Sequence, residues 1–128
     1  MKLLLDTHIV LAVVNDALDE LPNGHSAVLQ SQQSYLYCST ASLWEIAIKS
    51  RLGRLRLACD LTDLAAICRA FNLNVMAIAP EHVLHDVSPQ PSTRDPFDRL
   101  LLAQAACEQM RLVTLDDSLR THPLAWTD

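Results

Sequence analysis

The feature that most constrains this chain is the run Lys2-Leu3-Leu4-Leu5-Asp6. Three consecutive leucines show no alternation, so a strand built from them has no wet face. Such strands belong to parallel sheets covered on both sides. A parallel sheet in turn demands crossover connections, usually helices. The run stops at Asp6, which would stand at the carboxyl end of its strand, where open α/β sheets place their ligand sites. Asp is also a favoured helix N-cap, so Asp6 alone needs no functional explanation.

The rest of the chain supplies the crossovers. His8 to Val14 is nearly all apolar and reads as a buried helix, and Asn15 to Asn23 is polar and ends in a Pro22-Asn23-Gly24 loop. A short helix is expected over 25–33, and a second strand over 35–38. Ser42-Leu43-Trp44-Glu45 has the form of a capping box and opens a helix reaching about Leu52, with Gly53 as its stop. A helix over 60–71 and a third strand over 74–78 follow. Pro80 starts a brief helix to about Val87, and Pro89 and Pro91 stiffen a loop over 88–94. Asp95-Pro96 begins the longest helix, running to about Met110. Leu112 to Leu115 forms a fourth strand, stopped by Asp116-Asp117; a helical turn over 118–121 and a short edge strand over 124–126 close the chain.

Strands alternating with helices predict one α/β domain over residues 1–128. It has a central parallel sheet of four to five strands flanked by helices. The 128 residues are enough for a real core, and only two are glycine. No apolar run approaches the roughly 18 residues of a membrane span. The N-terminus makes a poor signal peptide, so a cytoplasmic location is expected. Cys38, Cys59, Cys68 and Cys107 form no C-x-x-C pair and no metal-finger spacing, and are read as reduced and structural.

A net charge of −5 is wrong for bulk attraction to nucleic acid. Its distribution changes the reading. Asp6 ends the first strand and Glu45 lies at the start of the helix after the second. Asp98 lies at the start of the longest helix, and Asp116 ends the fourth strand. In a parallel α/β sheet these positions face one rim. Each acid has a local explanation: N-caps for Asp6 and Asp116, a capping-box or Lys49 partner for Glu45, helix-dipole preference for Asp98. Local explanations do not account for the shared rim. Two carboxylates ~4 Å apart repel by roughly 4 kcal/mol at an effective dielectric of 20. A hard divalent cation such as Mg²⁺ or Mn²⁺ relieves that repulsion. Such an ion can also activate water and stabilise charge on a phosphate. Two ions would bring −5 to −1.

These segments carry a resemblance. Leu3-Leu4-Leu5-Asp6-Thr7-His8, Ser42-Leu43-Trp44-Glu45-Ile46-Ala47-Ile48-Lys49, Asp95-Pro96-Phe97-Asp98-Arg99-Leu100-Leu101-Leu102-Ala103-Gln104-Ala105 and Leu112-Val113-Thr114-Leu115-Asp116 resemble the four signature segments of PIN domains. More narrowly, they are similar to VapC-type toxins of type II toxin–antitoxin systems, over nearly the whole chain. The resemblance implies an endoribonuclease dependent on one or two Mg²⁺ or Mn²⁺ ions. It implies Asp6, Glu45, Asp98 and Asp116 as metal-site and catalytic acids, a homodimer, an RNA substrate and a VapB-type antitoxin. Four further residues are candidates for substrate contact. Arg94 and Arg99 flank the third acid, and Ser39 and Thr114 lie near strand ends, where backbone capping is an equal explanation. Asp95 is expected as an N-cap, His8 as a packing residue, and Trp44 as a core or dimer-interface residue.

Two other classes compete. One is a housekeeping RNA-processing or DNA-directed nuclease of the same fold, which a neighbouring antitoxin gene would distinguish. The other is a non-catalytic receiver-like signalling module. That class wants paired acids after the first strand and a late lysine, whereas Asp6 stands alone and no Lys follows residue 49.

Overall fold

A computed structural model describes residues 1–128. Strand β1 (Lys2–Leu5) leads into α1 (Thr7–Val14) and, after a 3-10 turn, α2 (Asn23–Gln30). Strand β2 (Tyr35–Ser39) leads into α3 (Thr40–Arg51) and α4 (Leu64–Ala70). Strand β3 (Leu73–Met76) is followed by α5 (Pro80–Leu84) and α6 (Pro96–Glu108). Strand β4 (Arg111–Val113) and α7 (Asp117–Arg120) complete the chain.

The sheet order is β3-β2-β1-β4, all parallel. β1 is therefore central, as its bare leucines require. The pleat sends Leu3 and Leu5 to one face and Leu4 to the other, and all three are fully buried. On one face they join Ile9 and Val10 of α1, Ile46 of α3, and Leu64 and Cys68 of α4. On the other, Leu4 meets Leu101, Leu102 and Ala105 of α6, Leu112 and Leu119. The order also creates a switch point. From β1 the chain builds outward through β2 and β3, then returns to add β4 on the other side of β1. Ligand crevices in open α/β sheets form at such points, beyond the carboxyl ends of the strands.

Several expected boundaries shift. Pro22-Asn23-Gly24 is the start of α2 rather than a loop, because Pro22 takes the N-cap position and its carbonyl accepts from Ser26 N–H at 3.0 Å. The third strand ends at Met76 and the fourth at Val113. The expected edge strand is a single parallel bridge, Leu112 to Ala125. The largest shift is in α3. Ser39, not Ser42, is the N-cap, and its hydroxyl accepts from Ala41 N–H at 3.0 Å. Glu45 is thus in the second turn, and no capping box exists there. All four cysteines are free, with Cys38 and Cys68 buried. No helix is long and apolar enough to cross a membrane.

Candidate active site

The rim at the β1/β4 switch point is assembled by backbone geometry first. Asp6 N–H donates to Val113 O at 2.9 Å, which extends the β1–β4 pairing one residue beyond the strands. Asp6 then caps α1: its Oδ1 accepts from Thr7 N–H at 2.7 Å. Its Oδ2 accepts from Thr114 Oγ1–H at 2.7 Å. Thr114 Oγ1 also accepts from Asp116 N–H at 3.0 Å, so one hydroxyl ties the first and fourth acids together. Asp116 caps α7, and its Oδ1 accepts from both the backbone and the hydroxyl of Ser118. Capping and a site role do not compete here. Each carboxylate oxygen carries two lone pairs, and these bonds leave some free.

Glu45 reaches the rim from α3. Its Oε1 accepts from Thr7 Oγ1–H at 2.6 Å, and its Oε2 from Lys49 Nζ at 2.6 Å. Thr7 Oγ1 also stands 3.1 Å from the Ser42 hydroxyl. These bonds use the shift in α3: with Ser39 as cap, Ser42 and Glu45 face α1 from inside the helix. Asp98 reaches the rim from α6, whose start is set by Asp95. Asp95 Oδ1 accepts from Phe97 N–H at 2.8 Å, with Pro96 in the first turn. Asp98 itself has one long bond, from Thr93 Oγ1–H at 3.3 Å.

The charges are mutually strained. Burial pushes the Asp98 carboxyl up to about 7, and the neighbouring Asp6, Asp95, Asp116 and Glu45 charges add to it. Burial also raises Asp6, with Glu45 adding, against the Thr114 and Thr7 hydrogen bonds and the His8 charge. Asp116 is lowered instead, because both Ser118 hydrogen bonds stabilise its ionised form.

This donor set fits a hard divalent cation in chemistry: four carboxylates, partly buried and close enough to raise one another's pKa. As placed, no three acidic, histidine or cysteine side chains close into a shell around one ion. The four acids share a rim and one another's fields without forming a finished coordination site.

The secondary candidates divide. Ser39 is fully buried and holds the start of α3, so it has no surface to offer a substrate. Thr114 is buried and braces the acids. Arg99 is spent on the 88–94 loop: its Nε donates to Thr93 O at 2.8 Å, and its terminal nitrogens reach Gln90 Oε1 and Pro91 O at 3.2 Å. Arg94 is exposed. One reading of a neighbouring residue is corrected. His8 is exposed rather than packed, because α1 turns it outward, where its charge acts on Asp6 and Asp116. Of the two placements expected for Trp44, core or dimer interface, the core is excluded: it is 62% exposed and lies edge-on to Phe97 at 5.7 Å. Thr7, Ser42 and Thr93 were not foreseen. Thr7 carried a signal, since it directly follows Asp6. Ser42 and Thr93 show their roles only once α1 and α6 are in place.

The family model of the PIN domain matches residues 3–123. The chain belongs to the PIN domain family. No curated protein matches it. Its fold is similar to a chain in the crystal structure of VapBC2 from Rickettsia felis bound to a DNA fragment from their promoter. The TM-score is 0.60 at 14% identity, covering 98% of this chain and 96% of that one. This PIN domain therefore has the fold its four segments resemble.

Proposed function

We propose that this PIN domain is a divalent-metal-dependent endoribonuclease, acting as the toxin of a toxin–antitoxin module. The observation that carries the reading is the convergence of Asp6, Glu45, Asp98 and Asp116 on one partly buried rim, where burial first and the neighbouring charges second push Asp98 up to about 7. Surface acids that merely cap helices have no reason to converge in this way. Asp6, Glu45, Asp98 and Asp116 would hold the metal, Mg²⁺ or Mn²⁺, as one or two ions. When bound, a divalent ion supplies positive charge for the phosphate and acidifies the water that attacks it.

The chain's own residues prepare that rim. Thr7 N–H and Thr114 hold both oxygens of Asp6, which would be the central ligand. Thr7 Oγ1 sets the rotamer of Glu45. Thr93 holds Asp98 loosely, leaving it free to adjust. Arg94, exposed four residues before Asp98 in sequence, would meet an RNA phosphate.

The partners follow from the surface beside the acids. Trp44, Ile48, Ile78, Phe97 and Leu100 line an open apolar groove of about 340 Å³. Trp44 precedes Glu45 and Phe97 precedes Asp98 in sequence, so the groove borders the acid-bearing turns of α3 and α6. Val83 and Leu84 add further apolar exposure. This favours a homodimer and a VapB-type antitoxin whose apolar segment covers this face. The likeness of the fold to a chain of the R. felis VapBC2 structure supports a VapB-type partner. Such a toxin would meet its RNA in the cytoplasm.

The test is controlled expression with transcript-end mapping, comparing wild type with Asp6→Asn. New 5′ ends that appear with wild type and vanish with Asp6→Asn are the expected result. Equal ends from both proteins refute the site, and cleavage by chelated protein refutes the metal. Light scattering at micromolar concentration addresses the dimer, where a strict monomer refutes it. An antitoxin is tested by co-expressing adjacent gene products. Failure of all of them to suppress toxicity favours a housekeeping nuclease.

A further inference from the structure

One cation forms an ion pair with an acid of the rim. Lys49 Nζ lies 2.6 Å from Glu45 Oε2, and its charge also feels Asp95 and Asp98. The other ion pairs, His82 with Glu108 and Arg120 with Asp117, involve none of the four site acids. Arg99, closer in sequence to Asp98, is committed to the 88–94 loop. We infer that Lys49 is the resident counter-ion of the metal-free rim, a positioning residue that holds Glu45 until a divalent cation displaces it.

Three features support displacement rather than a permanent pair. The pair joins α3 residues four apart, in the favourable order with Glu first, so it forms within one helix whether or not the rim is complete. The Glu45 side chain is 9% exposed and that of Lys49 is 40% exposed, so the ammonium can leave for water while the carboxylate stays. Its flexible four-carbon stem lets it do so without moving α3. The other Glu45 oxygen is held by Thr7, whose hydroxyl is neutral and does not oppose an incoming cation. An ammonium on Oε2 does oppose one, since two cations at one oxygen repel. The competition sets metal affinity and shields Glu45 when no metal is present.

This inference rests on the metal-site reading above, and the experiment separates the two. The protein is titrated with Mn²⁺ by calorimetry, as wild type and as Lys49→Met, Lys49→Arg and Arg51→Met. Circular dichroism confirms folding of each variant. In parallel, Lys49 of wild type is labelled with an amine-acylating reagent, with and without saturating Mg²⁺, and read by peptide mass spectrometry. The expected result has three parts. Lys49→Met tightens Mn²⁺ binding about threefold or more, a modest effect in line with the strength of partly exposed pairs. Lys49→Arg restores wild-type affinity, and Arg51→Met, which removes an unpaired charge from the same helix, changes it less. Lys49 labelling rises when Mg²⁺ is added. If wild type binds Mn²⁺ but Lys49 stays protected, or Lys49→Met binds no more tightly than Arg51→Met, the inference is overturned and the metal site stands. If wild type binds no Mn²⁺, the metal-site reading fails and the inference fails with it.

Discussion

Two helices deliver an acid to the same rim in different mechanical states. On α3, Glu45 is buried, and each of its oxygens accepts a 2.6 Å hydrogen bond, from Thr7 and Lys49. On α6, Asp98 is half-buried, with one 3.3 Å bond and no cation. Both follow an aromatic residue, Trp44 and Phe97, that marks the edge of the apolar groove. The α3 acid has both oxygens hydrogen-bonded, while burial and the neighbouring charges raise the α6 acid most clearly. An acidic cluster can therefore be folded and poised at once: one half is anchored, the other stays under electrostatic strain that a cation would relieve.

A second contrast lies in two threonines. Thr114 and Thr93 each accept a backbone N–H from the residue two positions on, and each donates to a site carboxylate. The bond to Asp6 is 2.7 Å and that to Asp98 is 3.3 Å. The same local motif grips one acid and only guides the other.

The largest effect that could break this contrast comes from deleting the strained acid. Asp98→Asn is expected to lower RNA cleavage by more than about 100-fold, above the 10–100-fold typical of outer-shell partners. Asp116→Asn should do the same, with both folds intact by circular dichroism. If both variants cleave normally, the rim is not the active site. Next, metal uptake should displace a proton from Asp98, because a cation favours its ionised form. Calorimetry at pH 6–7 in buffers of different ionisation enthalpy measures that proton, and a buffer-independent heat would remove the contrast.

Stability against pH gives a smaller effect. The folded Asp98 carboxyl titrates at about 7 against an ordinary 3.8. The folded state therefore holds the proton more tightly, and this contribution is full below about pH 4 and lost as pH rises through about 7. Without added metal, the protein should thus lose stability between about pH 4 and 7. For a half-exposed carboxyl screened by solvent, the loss is roughly 1–2 kcal/mol. Asp98→Asn should flatten the melting profile, and Mg²⁺ should restore it at pH 8. Asp116, shifted downward, acts oppositely and only near its own low pKa.

The threonines sharpen the comparison further. Thr7→Val removes a short buried bond to Glu45 and should weaken metal affinity about tenfold. Thr93→Val removes a long one and should weaken it less. Equal losses would show that both acids are held alike. The smallest effects belong to Asp95 and Asp117. Asp95→Asn keeps a good cap and Asp117 is exposed on α7, so each variant should retain cleavage within about threefold.

Much of this was legible in the sequence because it is locally encoded. Three leucines without alternation require a strand covered on both faces, and that makes β1 central. Asp6, Asp98 and Asp116 could be placed on the rim because each sits at an element end, where apolar pattern meets capping chemistry. Asp95 could be separated from Asp98 because Pro96 identifies the cap. What the tertiary structure decided was direction and commitment. Ser42-x-x-Glu45 satisfies a capping pattern, yet Ser39 holds that position, which frees Ser42 and Glu45 to face Thr7 across the α1–α3 contact. Arg99 looks like a phosphate ligand from its neighbours, yet the folded 88–94 loop takes its guanidinium. His8 sits in an apolar run but points outward. Local sequence fixes spacing and period, and so the elements and their ends. Which partner a polar side chain finds depends on groups 35 to 108 residues away, such as Thr7 with Ser42 or Thr114 with Asp6. Only packing the two layers against the sheet brings those groups into hydrogen-bond range.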